Sequence, residues 1–345
     1  MRQTLLLTLI LALTILPACS RRADPDHRIT LYSSVDAGVL KPILDAYTKR
    51  TGIAVELVSD TEATKTTGLV NRIITEKDNP RADVWWSGEA VGTAQLSRAG
   101  TLAPYRSMAA QAAAQASSLN TWPLTGNRGD WYGLALRPRV IVYSTRTYST
   151  PEAAPRSIDA LAASKKPVAI ANPAFGTTRG HLAAIYLEVG REDFIKLMSK
   201  IDWRVVDGNA AVIRAVANGE CDAGLTDYDD YRGGLGNNWP LGCTFPGVTA
   251  DTPMQPVATP GTIALVAGAP HPELAKAFID EMLSVATEQS LAAGDWNSLP
   301  VLKAALPADK ADRFKGVTPA RVDWEKAADF LEQTAAAWTE ALKKK

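Results

Sequence analysis

Residues 224 to 233, GLTDYDDYRG, place three carboxylates and two phenols in five consecutive positions, Asp227 to Tyr231. Asp and Gly also populate ordinary solvated turns for local backbone reasons. The chemical reading is a site for positive charge. Crowded like charges repel, and without a counter-charge some must take up protons. A bound cation removes the conflict. Hard oxygen donors suit Fe(III), Mn, Mg or Ca, and the lack of a His and Cys cluster argues against zinc and soft copper. An organic ammonium could equally satisfy paired aspartates through charge-assisted hydrogen bonds.

Two further stretches carry the opposite preference. FGTTRG opens a helix, and the free backbone N–H groups of Gly176, Thr177 and Thr178 make an anion cradle that the two hydroxyls would reinforce. In DGNAAVIRAV, Asn209 stands at a second helix start, where it can serve as an N-cap or meet an anion. Arg137 and Arg179 are candidate anion partners. If a cation and an anion belong to one ligand, an aminophosphonate fits both halves.

These groups must be positioned by alternating elements. RITLYSS reads as a strand, and the next segment carries Val39, Leu40, Ile43, Leu44 and Tyr47 at helical spacing before Gly52. Strand, helix, strand order continues through ADVWWSG and EAVGTAQLSRAG, a long extended stretch WYGLALRPRVIVYST, KPVAIANP, and NGECDAGL. Alternation of this kind argues for an α/β sheet with helices on its faces. Trp85 and Trp86 face opposite ways on a strand, so one is expected in the core and the other, if the chain forms two lobes, at the interface between them. Asp83 reads as structural. The tail from Ala304 to Lys345 reads as helical.

The 345 residues have room for two domains, and 46% hydrophobic with 21% charged composition is that of a soluble globular protein. Lys plus Arg equals Asp plus Glu at 37 each, so no net field favours nucleic acid. Residues 1–19 have a basic start, an apolar run and LPAC, matching an export leader with a lipobox, with lipid attached at Cys19. Residues 20–27 are a polar tether. The expected location is the periplasm or cell envelope, lipid-anchored. Cys221 and Cys243 stand in an oxidising compartment as a disulfide or as two buried thiols.

Taken in order, ITLYSSVDAGVLKPILDAYTKRTGIAVEL, ADVWWSGEAVGTAQLSRAGTLAPY, WYGLALRPRVIVYSTR, AVIRAVANGECDAGL and GTIALVAGAPHPELAKAFIDEMLS resemble the extracellular solute-binding proteins of ABC importers. The likeness is to the ferric-iron-binding branch and its thiamine- and phosphonate-binding relatives, from about residue 28 to 300. It implies a two-lobed, type II Venus-flytrap α/β fold with two hinge-crossing strands, near 136–138 and 257–260. The implied lobes are 28–136 with 258–300, and 137–257 with 301–345. Ligand would lie between them.

Carried over residue by residue, the resemblance sets Asp36 where the branch commonly has a histidine ligand, although a helix start also favours an acid there. Glu89 lies within one residue of a metal-binding glutamate. Ser33 and Ser34 offer hydroxyls to a ligand or cap the next helix. The branch's adjacent tyrosine pair falls on Asp229 and Asp230, with Asp227 on a preceding asparagine position. Tyr228 and Tyr231 flank the pair, and a register shift would be needed to bring either phenol onto a metal.

The implied function is capture of a cation, iron with a synergistic phosphate or carbonate before others, for import by a permease and ATPase, with the protein a monomer. The alternative is a binding protein for an aminophosphonate or other organic amine. A carboxylate-based extracellular enzyme is a further class. It is disfavoured because His27, His181 and His271 are the only histidines, and no GxSxG or HExxH signature occurs. A sensor that signals by lobe closure is the third class.

Overall fold

The computed structural model describes residues 27–60, 66–116, 125–248, 255–306, 314 and 317–344. The leader, Cys19 and most of the tether lie outside the described residues.

The first strand, β1 (Arg28–Ser33), lies between β2 (Ala54–Ser59) and β3 (Val84–Ser87), all three parallel. Helix α1 (Ala37–Thr51) joins β1 to β2, and buries Leu40, Leu44 and Tyr47 from its predicted stripe. It ends at Gly52, whose φ of 77° is the left-handed conformation that closes helices. Helices α2 (Thr67–Thr75) and α3 (Ala90–Arg98) flank β3, and α4 (Met108–Ala116) follows. Trp85 and Trp86 are both fully buried, on opposite faces of the sheet, so neither is at a lobe interface. Asp83 is structural, accepting from the backbone N–H of Thr30 and of His271.

The middle of the chain begins with β4 (Tyr132–Ser144), buried along its whole length. Beyond it come β5 (Val168–Ala171), α5 (Gly176–Ser199), β6 (Trp203–Val206), α6 (Asn209–Ala217), β7 (Ala223–Asp227), α7 (Tyr228–Gly236) and β8 (Leu241–Thr244). The chain then returns through β9 (Ala258–Leu265) to α8 (Pro272–Met282) and α9 (Val285–Ala293). Strand order is β2-β1-β3-β9-β4-β7-β5-β6, with β8 also on β4.

Strand β4 changes partner part-way. Tyr132 to Pro138 pair with β9, whereas Arg139 to Tyr143 pair with β7. A bulge between Leu134 and Leu136 leaves Ala135 at a φ of 48°. The two halves of the sheet have separate cores, one around Trp86, Phe278 and Leu31, the other around Phe194, Met198 and Trp338.

Cys221 and Cys243 are free thiols. Strands β7 and β8 take opposite edges of β4, since Val142 pairs with both Gly224 and Cys243. Cys221 stands three residues before Gly224, so the two cysteines are more than two strand spacings apart, over ~10 Å and beyond the reach of a disulfide.

Among the described residues of the tail, α-helix is found near its end, in α10 (Trp324–Asp329) and α11 (Leu331–Lys343), with a short 3-10 turn at Lys303–Ala305. The residues before Asp323 run without regular structure past Pro319, and Asp323 caps α10 by accepting from the N–H of Lys326. Helix α11 packs on the second core, whereas α10 packs against both α3 and α5. The tail therefore touches both lobes, not the second alone.

Candidate functional site

Five helices begin around one cavity of about 350 Å³. Its lining includes Ser34 and Asp36 before α1, Gly88 and Glu89 before α3, Gly176 to Thr178 opening α5, Gly208 and Asn209 at α6, and Asp229 and Asp230 in the first turn of α7. Both halves of the sheet contribute, because each strand hands its chain to a helix at this edge. The acidic stretch is not a free turn: Asp227 ends β7 as N-cap, and Asp229 and Asp230 occupy the first helical turn. Acids are favoured there by the helix dipole, a structural reason that coexists with any ligand role.

Asp227, Asp229 and Asp230 each bring a carboxylate oxygen within 4.8 Å of the others. Their environments differ. Asp227 is fully buried and lies below the cavity wall, accepting from Arg139 Nη1 at 2.6 Å, Thr177 Oγ1 at 2.7 Å and Asn209 Nδ2 at 2.8 Å. Burial opposes its ionisation, but Arg137 and Arg139 outweigh burial and hold the carboxyl below its ordinary value. Arg137 Nη2 lies 3.0 Å from Asp227 and 2.8 Å from Asp229. Burial raises Asp229, with Arg137 opposing and Asp227 adding to the rise. Asp230 is pushed well above the usual carboxylate range, first by burial and then by the charges of Asp229 and Asp227.

On the facing wall Glu89 is 1% exposed and caps α3, accepting from the N–H groups of Val91 at 2.7 Å and Gly92 at 3.0 Å. Burial raises its carboxyl, opposed by Arg179, whose Nη2 is 3.4 Å away. Asp36 is the N-cap of α1 and lies on the solvent side of the cavity.

Some expectations are not met. Ser33 is fully buried away from the cavity, donating to the carbonyl of Trp86 and accepting from the N–H of Val35. Ser34 does line it, beside Ser87. The Tyr228 ring is packed with Phe245, Phe314 and Tyr231 and does not line the cavity, so its phenol is not part of the acidic cluster. The hydroxyls of Thr177 and Thr178 turn inward to Asp227 and Arg139 and are thus engaged within the wall of the site. Asn209 spends its amide hydrogens on Asp227 and Thr177, and its Oδ1 is buried without a partner among the described residues.

Residues 32–289 match the family of bacterial extracellular solute-binding proteins. The chain belongs to that family. This solute-binding protein is 30% identical over 220 residues to the major ferric iron-binding protein of Neisseria meningitidis, a match covering 57% of each chain. With the namesake from Neisseria gonorrhoeae it shares 28% over 204 residues, or 57% of this chain. The chain spans 58% of the length of that relative. In three dimensions it resembles iron-bound HitA from Pseudomonas aeruginosa with a TM-score of 0.76 at 21% identity, over 91% of this chain and 99% of that one. That likeness establishes the mixed α/β, two-lobed binding-protein fold. Among the described residues no helix is long and apolar enough to cross a membrane.

The sequence of the solute-binding protein does not by itself disclose the basic half of the site. Arg139 does not stand out in it, and Arg137 reads as an anion partner, whereas both neutralise Asp227. The available signal is Arg137-Pro138-Arg139. Residues two apart on a strand share a face, and the register sets Arg139 opposite Asp227.

Proposed function

We propose that the protein captures a hard, multiply charged cation, ferric iron before others, and delivers it to the permease and ATPase of an ABC importer. The observation that carries this reading is the charge of the cavity. Around and directly beneath it stand six carboxylates, Asp36, Glu89, Asp207, Asp227, Asp229 and Asp230, against three guanidinium groups, Arg137, Arg139 and Arg179, counted among the described residues. Packing that leaves such an excess in a partly dry cleft is unfavourable unless some of the acids take up protons or a cation enters. The relatives named for ferric iron support iron among hard cations.

Asp229 and Asp230 are the proposed ligands from α7, with Glu89 or Asp36 joining from the other lobe as the cleft closes. The backbone N–H groups of Gly176 to Thr178 would receive an accompanying oxyanion such as phosphate or carbonate. The site differs from a phenolate site because carboxylates occupy the first turn of α7, and such oxygens suit hard ions. Lipid attachment at Cys19, a tether to residue 27 and action as a monomer complete the reading.

Calorimetric titration with ferric citrate, alongside citrate alone, tests it. Asp229→Asn with Asp230→Asn should weaken binding by about a hundredfold or more, at ~1.5 kcal/mol or above for each charged ligand group removed, while circular dichroism stays that of the parent. Unchanged affinity in the double variant would refute the assignment.

A further inference from the structure

Arg137 stands at the point where β4 leaves β9 for β7, with its side chain 10% exposed. Its guanidinium lies over the Trp296 ring, 5.6 Å from the centroid, and so is held from the first lobe while it pairs with acids of the second. Asp227 has donors besides Arg137, since Arg139, Thr177 and Asn209 also reach that carboxylate at 2.6 to 2.8 Å, whereas the one ion pair of Asp229 among the described residues is with Arg137. The partner specific to Arg137 is therefore Asp229.

That pair is incomplete. Arg137 Nη2 forks between Asp227 and Asp229 in place of the two parallel bonds that a guanidinium and a carboxylate can form. Arg137 Nε and Asp229 Oδ1 are both buried without a hydrogen-bond partner among the described residues. Each group keeps unused bonding capacity at the edge of the cavity that both line.

We propose that Arg137 is a built-in counter-cation that competes with cargo for Asp229, setting an affinity threshold that favours multivalent cations over organic monoamines. This rests on the carboxylate reading of the site. A monovalent ammonium would exchange one positive charge for another already in place and held by packing. A multivalent hard ion brings more charge than the guanidinium it displaces and can use both oxygens of the carboxylate. Selection then follows from an element of the protein that opposes the wrong ligand, not only from contacts to the right one.

The test is Arg137→Gln in the otherwise intact protein, titrated with ferric citrate, with citrate alone and with 2-aminoethylphosphonate. Removing the competitor should tighten ferric binding about tenfold or more, ~1.4 kcal/mol, and should bring the monoamine into the measurable range. A merely structural role for Arg137 predicts the reverse, because a disordered site binds more weakly. Unchanged or weaker ferric affinity in Arg137→Gln, with normal binding by the parent, overturns this inference alone. Failure of both proteins to bind ferric ion overturns it together with the carboxylate reading. Should Arg137→Gln not fold, Arg137→Met removes the charge with an unbranched side chain that can still pack on Trp296. It should bind ferric ion more tightly than the parent, and equal or weaker binding counts against the proposal.

Discussion

Asp227 and Asp230 show how one stretch of sequence yields carboxylates of opposite character. Two guanidinium groups hold Asp227 ionised in a fully buried position, whereas at Asp230 burial and the charges of Asp229 and Asp227 outweigh the same two guanidinium groups. The pH consequences have opposite signs. Stability contributed by Asp227 is present above its ordinary value and lost as pH falls through its lowered one. For Asp230, Asp229 and Glu89, whose values are raised, the contribution is present at low pH and lost as pH rises through the window above the ordinary carboxylate value. A cation held by Asp229 and Asp230 needs both ionised, and Glu89 too where it joins, so binding should release protons and strengthen as pH rises through that window. Titration in buffers of different ionisation enthalpy should record net proton release, and proton uptake would contradict the account. The acid run is legible in the sequence as a place for positive charge. Its division into a neutralised and a free part is not, because that depends on which strand Arg139 lies beside.

Strand and helix identity is readable where periodicity and end signals agree, as in α1 with its stripe and closing Gly52. It fails in the tail. Alanine content suggests a helix throughout, yet among the described residues α-helix begins only after Asp323, where a capping acid opens α10 and α11 follows it past Phe330. The bulge in β4 is also hidden, because the residue that secures it is far along the chain. Glu288 is buried in α9 and accepts from the N–H of Ala135 at 2.9 Å and of Leu302 at 2.7 Å. It thereby ties the strand that crosses between the lobes to the returning segment beside it, where Leu136 pairs with Leu299. Glu288→Ala leaves both donors buried and unsatisfied, so chemical denaturation should show a loss of about 2–4 kcal/mol. Glu288→Gln keeps one acceptor oxygen and should fall between. A loss under about half a kilocalorie for the alanine variant would mean that Glu288 is dispensable to the crossing.

At the scale of the molecule, two cores meet at a cavity, and β4, β9 and the tail pass between them. The two-lobed architecture can be read from the order of segments in the sequence, each weak alone. The bridging role of α10 cannot, because short Ala-rich helices carry no address. Trp324 is 3% exposed and lies near Val91 of α3 and Gly180 of α5, where a Cβ on Gly180 would come within 3.5 Å of the indole. Arg98 also pairs with Asp329, and Asn127 donates to Glu325. Trp324→Ala should cost about 3 kcal/mol by leaving a cavity between the lobes, read as a lower denaturation midpoint. It should also broaden the distribution of lobe separations measured by small-angle scattering. A variant with the parent's midpoint would show that α10 is a passive cover.

The claim on which the functional reading depends is that Asp229 and Asp230 hold a cation across the cleft. Native mass spectrometry with elemental analysis, on protein purified without chelator, tests it most directly. The prediction is one iron per chain in the parent protein, with an accompanying small anion, and none in the variant carrying Asp229→Asn and Asp230→Asn. A metal-free parent carrying a small organic amine in the same cavity would contradict it.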